Sequence, residues 1–233
     1  MAQISVHVAM IAKVAQALGD DLLPHVAFVG GCTTGLLLTD DFAREQVRHT
    51  DDVDLIVHVV GYMGMHELEE MLRKRGFSHS LDEDDPICAM KLDELRVDFM
   101  PDTEHAYGFT NRWYAEALST AQPFLLTNTV TIRLVQPIYF LATKLEAYKG
   151  RGKCDPLESR DIEDLLALVD GREELLAEVA GTSQELRTYL AEEFAELLRH
   201  PDFEYAVQGT ALNNPAREAL IFERLEILAG SAA

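Results

Sequence analysis

The sequence predicts an α/β fold that gives way near residue 135 to a C-terminal helical region. Three observations predict it. Short apolar runs bounded by glycine or acidic turns occupy the first part, as strands do. Segments with helical spacing alternate with them. After Gln136-Pro137 the period becomes helical, and proline suits the first turn of a helix. The expected division is an α/β domain over 1–135 and a helical domain over 136–233.

In chain order, Ile4, Val6, Val8, Ala9, Ile11, Ala12, Ala15 and Leu18 lie close to helical spacing, and Gly19 ends the run. His25 to Val29 reads as a short strand. Gly30-Gly31 reads as a turn into a helix containing Leu36 to Leu38. Residues 41–52 are polar and charged and read as a loop, Asp52 to Val60 as a strand, and Met65 to Arg75 as a helix stopped by Gly76. The acidic turn Asp82-Glu83-Asp84-Asp85-Pro86 separates strand-like stretches around Phe77 and over Ile87 to Leu92. Asp93-Glu94 reads as a tight turn into a strand over Leu95 to Met100. Thr129 to Val135 alternates like a strand. Helices are expected over 137–149, 158–170, 172–180, 183–199 and 214–229, with 150–159 a loop.

A formal net charge of -20 repels nucleic acid broadly, which argues against a non-specific nucleic-acid binder without excluding an RNA substrate. No apolar run approaches the ~20 residues of a membrane span. The start, Met1-Ala2-Gln3-Ile4-Ser5, lacks a basic region leading into an apolar stretch, so no signal peptide is expected. Cys32, Cys88 and Cys154 are odd in number and far apart, which favours a reducing cytoplasm over a disulfide framework. The histidines show no metal-ligand spacing. No GxxxxGK[ST] motif occurs, so the chain is not a conventional P-loop ATPase.

Four constellations carry chemistry. The first is Gly30-Gly31 with Thr33 and Thr34, where glycine allows close backbone approach and a helix-opening N–H attracts phosphate. An ordinary strand-to-helix turn has the same look. The second is Asp52 and Asp54, which share one face of a strand. Two carboxylates side by side repel unless a cation lies between them, and Mg²⁺ takes such oxygen ligands. The third is Asp98, which joins that pair if its strand lies beside theirs. Three carboxylates hold two ions that activate a hydroxyl and stabilise leaving pyrophosphate. The fourth is the basic stretch Lys144, Lys149, Arg151, Lys153 and Arg160, followed by Asp161 and Asp164 on one helix face. Lys144 sits on an apolar helix and is expected to point across a cleft as a phosphate ligand.

Together these residues resemble the DNA polymerase β-type nucleotidyltransferase superfamily. Its signature is a Gly-Gly turn, an Asp-x-Asp strand and a third Asp on a neighbouring strand, here Gly30-Gly31, Asp52-Val53-Asp54 and Asp98. Arg48-His49-Thr50-Asp51-Asp52-Val53-Asp54 matches the Arg-x-Thr-x-Asp-x-Asp variant of the AbiEii class of abortive-infection and toxin nucleotidyltransferases. That class also carries a helix lysine, a basic loop and an Arg-Asp-x-x-Asp-Leu helix, matched by Lys144, Arg151 and Arg160-Asp161-Ile162-Glu163-Asp164-Leu165. The resemblance covers residues 25–170. Many relatives have serine directly after the first glycine, which leaves the phosphate contact open between Thr33 and Thr34.

The resemblance implies a mixed sheet flanked by helices and transfer of a nucleoside monophosphate from an NTP, such as ATP, to an acceptor hydroxyl with Mg²⁺ or Mn²⁺. By it Asp52, Asp54 and Asp98 bind metal, and Asp98 aids deprotonation of the acceptor. Gly30, Gly31 and Thr33 cradle the triphosphate, and Lys144 neutralises it. Thr34, Thr50, Arg151, Arg160, Asp161 and Asp164 belong to the nucleotide site, the two aspartates orienting Lys144 and Arg151 or contacting the nucleotide. The acceptor is open among tRNA, protein and small molecules. A basic antitoxin-like partner fits the acidic balance. Two alternatives stand beside this: a catalytically silent nucleotide-binding or interaction module of the same fold, and a Mg²⁺-dependent phosphodiesterase or nuclease.

Overall fold

A computed structural model describes residues 2–59, 61–80, 82, 84–108, 110–151 and 155–230. The sequence-expected roles of Val60, Glu83, Lys153 and Cys154 fall outside these residues. In chain order the elements begin with α1 (Ala2–Leu22), β1 (Val26–Val29), α2 (Thr34–Leu37), α3 (Asp41–Glu45) and β2 (Asp52–Val57). Next come α4 (Gly61–Arg73), β3 (Phe77–His79), β4 (Ala89–Leu92) and β5 (Leu95–Pro101). Then follow α5 (Tyr114–Thr120), β6 (Gln122–Leu125), β7 (Thr131–Leu134), α6 (Pro137–Gly150) and α7 (Arg160–Gly171). The chain closes with α8 (Leu175–Ala180), α9 (Gln184–Leu197), α10 (Phe203–Thr210) and α11 (Pro215–Leu228). The fold is mixed α/β with a helical C-terminal region, as the patterning predicts.

The chain divides into two compact units. One comprises Met1–Thr33 and His49–Gln136, the other Thr34–Arg48 and Pro137–Ala233. The change of period after Gln136 therefore coincides with a boundary, but the second unit also takes in the stretch over 34–48.

The first unit is built on a seven-stranded mixed sheet in the order β3-β4-β5-β2-β1-β7-β6. β2 is central, antiparallel to β1 and parallel to β5. A central strand buries both faces, which is why Leu55, Ile56 and Val57 form a continuous apolar run. Only the N-terminal end of β2 carries polar residues. Phe28, Val53, Leu55, Val97 and Phe99 are fully buried, and Phe77 meets Phe99 edge-to-face at 5.5 Å. α1 packs on β2. Its regular run stops at Gly19 (φ 68), as expected, before a last turn resumes.

In the second unit α7 is the centre. α2, α3, α6, α10 and α11 all pack on it, and Ile162, Leu165, Leu168 and Val169 are fully buried. Ser159 caps α7 by accepting from the Ile162 amide at 3.3 Å. The stretch over 34–48 is tied to the far end of this helix. The Thr39 and Asp40 amides donate to the Gly171 carbonyl at 2.8 and 2.9 Å. Arg217 bridges Asp40 and Asp170 while its guanidinium covers the Phe42 ring at 4.4 Å.

Four elements depart from the sequence expectation. α3 lies where 41–52 reads as loop, and α5, β6 and α10 fall in stretches without an assigned element. α3 has five residues and is held by the Asp40 cap, which accepts from the Ala43 amide at 2.8 Å. A segment that short cannot display a 3.6-residue period. β6 is an edge strand with mostly exposed residues, so no alternation marks it. Among the described residues no helix is long and apolar enough to cross a membrane.

Gly171 leaves no room for a side chain, because an added Cβ would lie 2.5 Å from the Ala43 Cβ and 3.1 Å from Leu38 Cδ2. Gly171→Ala is expected to destabilise the second unit by about 1–3 kcal/mol. Loss of hydrogen-exchange protection at α7 amides measures it.

Candidate active site

The parallel register of β2 on β5 pairs Asp52 with Arg96 and Asp54 with Asp98. Alternation turns Val53 and Val97 into the core and leaves all three aspartates on the other face. One ligand oxygen from each of Asp52, Asp54 and Asp98 lies within 4.8 Å of the others. The set consists of hard oxygen donors, the chemistry that suits Mg²⁺ or Mn²⁺. Asp98 is 6% exposed, and its Oδ1 is buried without a hydrogen bond although Arg96 Nε lies 3.3 Å away. A carboxylate so placed is short of partners that a cation would provide, so the residues fit the metal the sequence motif implies.

Burial pushes the Asp98 carboxyl up to about 6, with Arg96 opposing and Asp52 and Asp85 reinforcing the rise. Burial, then Asp98 and Asp54, push the Cys88 thiol up to about 12, so it stays protonated and inert beside the cluster.

Arg96 is the residue that motif reasoning leaves unassigned. Its guanidinium pairs with Asp52, reaches Asp85 Oδ1 at 3.2 Å and faces Asp98 at 3.3 Å. Ser80 bonds the same Asp85 from the acidic turn, and Ser80 and Arg96 hold its carboxyl below the ordinary range. The signal was present in the alternation that selects Asp98, since Arg96 lies two residues earlier on the same face.

Gly30 bounds the cluster on β1. It ends that strand at φ 80, a conformation that favours glycine, and an added Cβ would fall 2.7 Å from the Asp54 Cβ. Gly31 opens the following 3-10 turn. Thr33 is fully buried, and both its amide and its hydroxyl donate to the Gly30 carbonyl, at 3.1 and 2.8 Å. Its hydroxyl proton closes the turn. Thr50, expected to contact nucleotide, is 2% exposed and donates to Asp52. It therefore positions a carboxylate.

The second unit holds a separate charged network. Lys144 Nζ donates to Asp161 at 3.2 Å and to Asp164 at 2.7 Å. Arg48 forks onto Asp164 through Nε at 2.9 Å and Nη2 at 2.8 Å. Arg151 approaches Asp161 at 2.9 Å, and Thr34 donates to Asp164 at 3.2 Å. Asp161 and Asp164 thus hold Lys144 and Arg151, one of the two roles the resemblance implies for them. The Thr34 hydroxyl, one of two candidates for phosphate contact, is committed to Asp164. Arg160 is exposed and lines a cavity of about 240 Å³ beside Tyr205 and Gly209, apart from this network. Arg48 had no role assigned, yet it makes the bidentate contact to Asp164 within the second unit.

Lys144, Arg48 and Arg151 surround Asp161 and Asp164, and Arg48 also faces Glu163. Burial pushes the Asp164 carboxyl up, but Lys144 and Arg48 outweigh it and hold the group below the ordinary range.

No protein-family model matches the chain, and no curated protein is similar to it.

Two stability predictions follow from these charges. The folded state binds the Asp98 proton more tightly than the unfolded chain does, so stability falls as pH rises from 3.8 to about 6. The penalty is complete above that window and amounts to about 3 kcal/mol. Without divalent ions, Asp98→Asn is expected to unfold in more urea than the wild type at about pH 7.5, with the difference vanishing as pH falls below 3.8. Asp164 has the opposite sign. Its contribution is present above the ordinary carboxylate range and disappears as pH falls through its lowered value. Asp164→Asn removes the bidentate acceptor of Arg48 and the nearer of the two carboxylates on Lys144, and at neutral pH is expected to cost about 3–5 kcal/mol, measured by urea unfolding.

Proposed function

We propose that this chain is a metal-dependent nucleotidyltransferase of the DNA polymerase β type, similar to the AbiEii class, moving an NMP from an NTP to an acceptor hydroxyl. The observation that carries the reading is the pairing of Asp54 with Asp98, which brings three carboxylates within 4.8 Å of one another at the end of an apolar strand. A structural cluster has no need to gather acidic groups in this way, because burying like charges together is unfavourable.

Asp52, Asp54 and Asp98 would hold Mg²⁺, which when bound supplies charge neutralisation on the triphosphate and lowers the pKa of an attacking hydroxyl. The acceptor oxygen forms a bond to the α-phosphorus, the α–β phosphoanhydride bond breaks, and pyrophosphate leaves with the bond electrons. The hydroxyl proton passes to Asp98 as the base. Thr50 fixes Asp52 through its hydroxyl. Gly30 keeps the approach to Asp54 free of any side chain. The resemblance assigns neutralisation of the triphosphate to Lys144.

The acceptor class is open among tRNA, protein and small molecules. A silent module of the same fold is the second reading, favoured by one observation: Arg96 already neutralises part of the cluster. Incubation with each α-labelled NTP, Mg²⁺ and fractions of tRNA, cell protein and small molecules separates the two. Label is expected in one fraction, and Asp54→Asn is expected to reduce it by at least about 10³-fold while its circular dichroism stays unchanged. Label surviving in Asp54→Asn, or absent with the folded wild type in every fraction, would favour the silent module.

A further inference from the structure

We infer that Arg96 is a built-in competitor for the metal, a counter-cation that a divalent ion displaces from Asp52 and Asp98 and that Asp85 then receives. This rests on the metal-dependent reading above and adds a residue that sets the affinity of that site.

One guanidinium is shared among three carboxylates. Arg96 Nη2 pairs with Asp52, Nη1 lies 3.2 Å from Asp85 Oδ1, and Nε lies 3.3 Å from Asp98 Oδ1. Two of those partners are proposed metal ligands, so the guanidinium and a divalent ion compete for the same carboxylates. The third partner is not in the ligand set. Asp85 belongs to the turn before β4 and is fixed there by the Ser80 hydroxyl. It can keep the guanidinium when the other two contacts are given up.

The competitor answers a physical problem. Without any cation, Asp52, Asp54 and Asp98 would repel one another across a face where Asp98 is buried. Arg96 relieves that repulsion. The side chain is 33% exposed, so its swing toward Asp85 needs no opening of the core. Fork geometry lets an arginine give up two carboxylates and retain the third, which a lysine cannot do as well.

Mn²⁺ binding to the nucleotide-free protein, followed by electron paramagnetic resonance at fixed ionic strength, tests this without any turnover. Arg96→Gln is expected to bind Mn²⁺ about tenfold more tightly than the wild type. Asp85→Asn is expected to bind several-fold more weakly, because Arg96 then loses the carboxylate outside the ligand set that it contacts among the described residues. In the double variant the Asp85→Asn effect is expected to vanish, whereas a simple through-space charge effect would persist. Wild-type binding with no tightening in Arg96→Gln overturns the competitor and leaves the metal site standing. Absence of saturable Mn²⁺ in both the wild type and Arg96→Gln overturns the metal site itself. Should Arg96→Gln not fold, Asp85→Asn carries the test, and an unchanged Mn²⁺ affinity in it overturns the inference.

Discussion

Parallel pairing of β2 with β5 is the constraint on which the first unit depends. A shift of that register by one residue would turn Asp98 into the core and Val97 out of it. The apolar halves of both strands prevent the slip, since Leu55, Val53, Val97 and Phe99 have no other place to be buried. The same pairing that satisfies the hydrophobic core therefore juxtaposes Asp54 with Asp98. Core and carboxylate cluster are two faces of one ladder.

Gathering acidic groups at a sheet end carries an electrostatic cost, and the fold meets it in steps. Thr50 donates to Asp52, Arg96 spreads one positive charge over Asp52, Asp98 and Asp85, and Ser80 holds Asp85. What remains uncompensated is concentrated on Asp98, whose carboxyl is pushed toward neutrality by burial. A site with unmet charge is less stable than a neutral one would be, a common feature of places built to bind or react.

The second unit solves a related problem differently. α7 is buried almost all round, yet it carries Asp161, Asp164 and Asp170. Each is matched by cations from elsewhere in that unit: Arg48, Lys144 and Arg151 near the start of the helix, Arg217 near its end. The pairing of Arg48 with Asp164 explains why the stretch over 34–48 folds with the C-terminal helices rather than with the strands that flank it.

The sequence by itself determined the α/β-then-helical order and a break near residue 135, and it marked the three aspartates with Lys144, Asp161 and Asp164 as candidates. Period-2 and period-3.6 patterns report local geometry, and these features are local: two aspartates on one strand face, or two on one helix face. Elements too short to show a period, such as α3, stayed illegible, as did β6, whose edge position removes the alternation. Only the tertiary structure decided that Asp98 stands beside Asp54, that Thr34 and Thr50 serve carboxylates, and that Arg48 and Arg96 are central. Those roles come from contacts between residues far apart in the chain. A hydroxyl or guanidinium has no pattern of its own in sequence; its role is set by the carboxylate that packing brings within its reach.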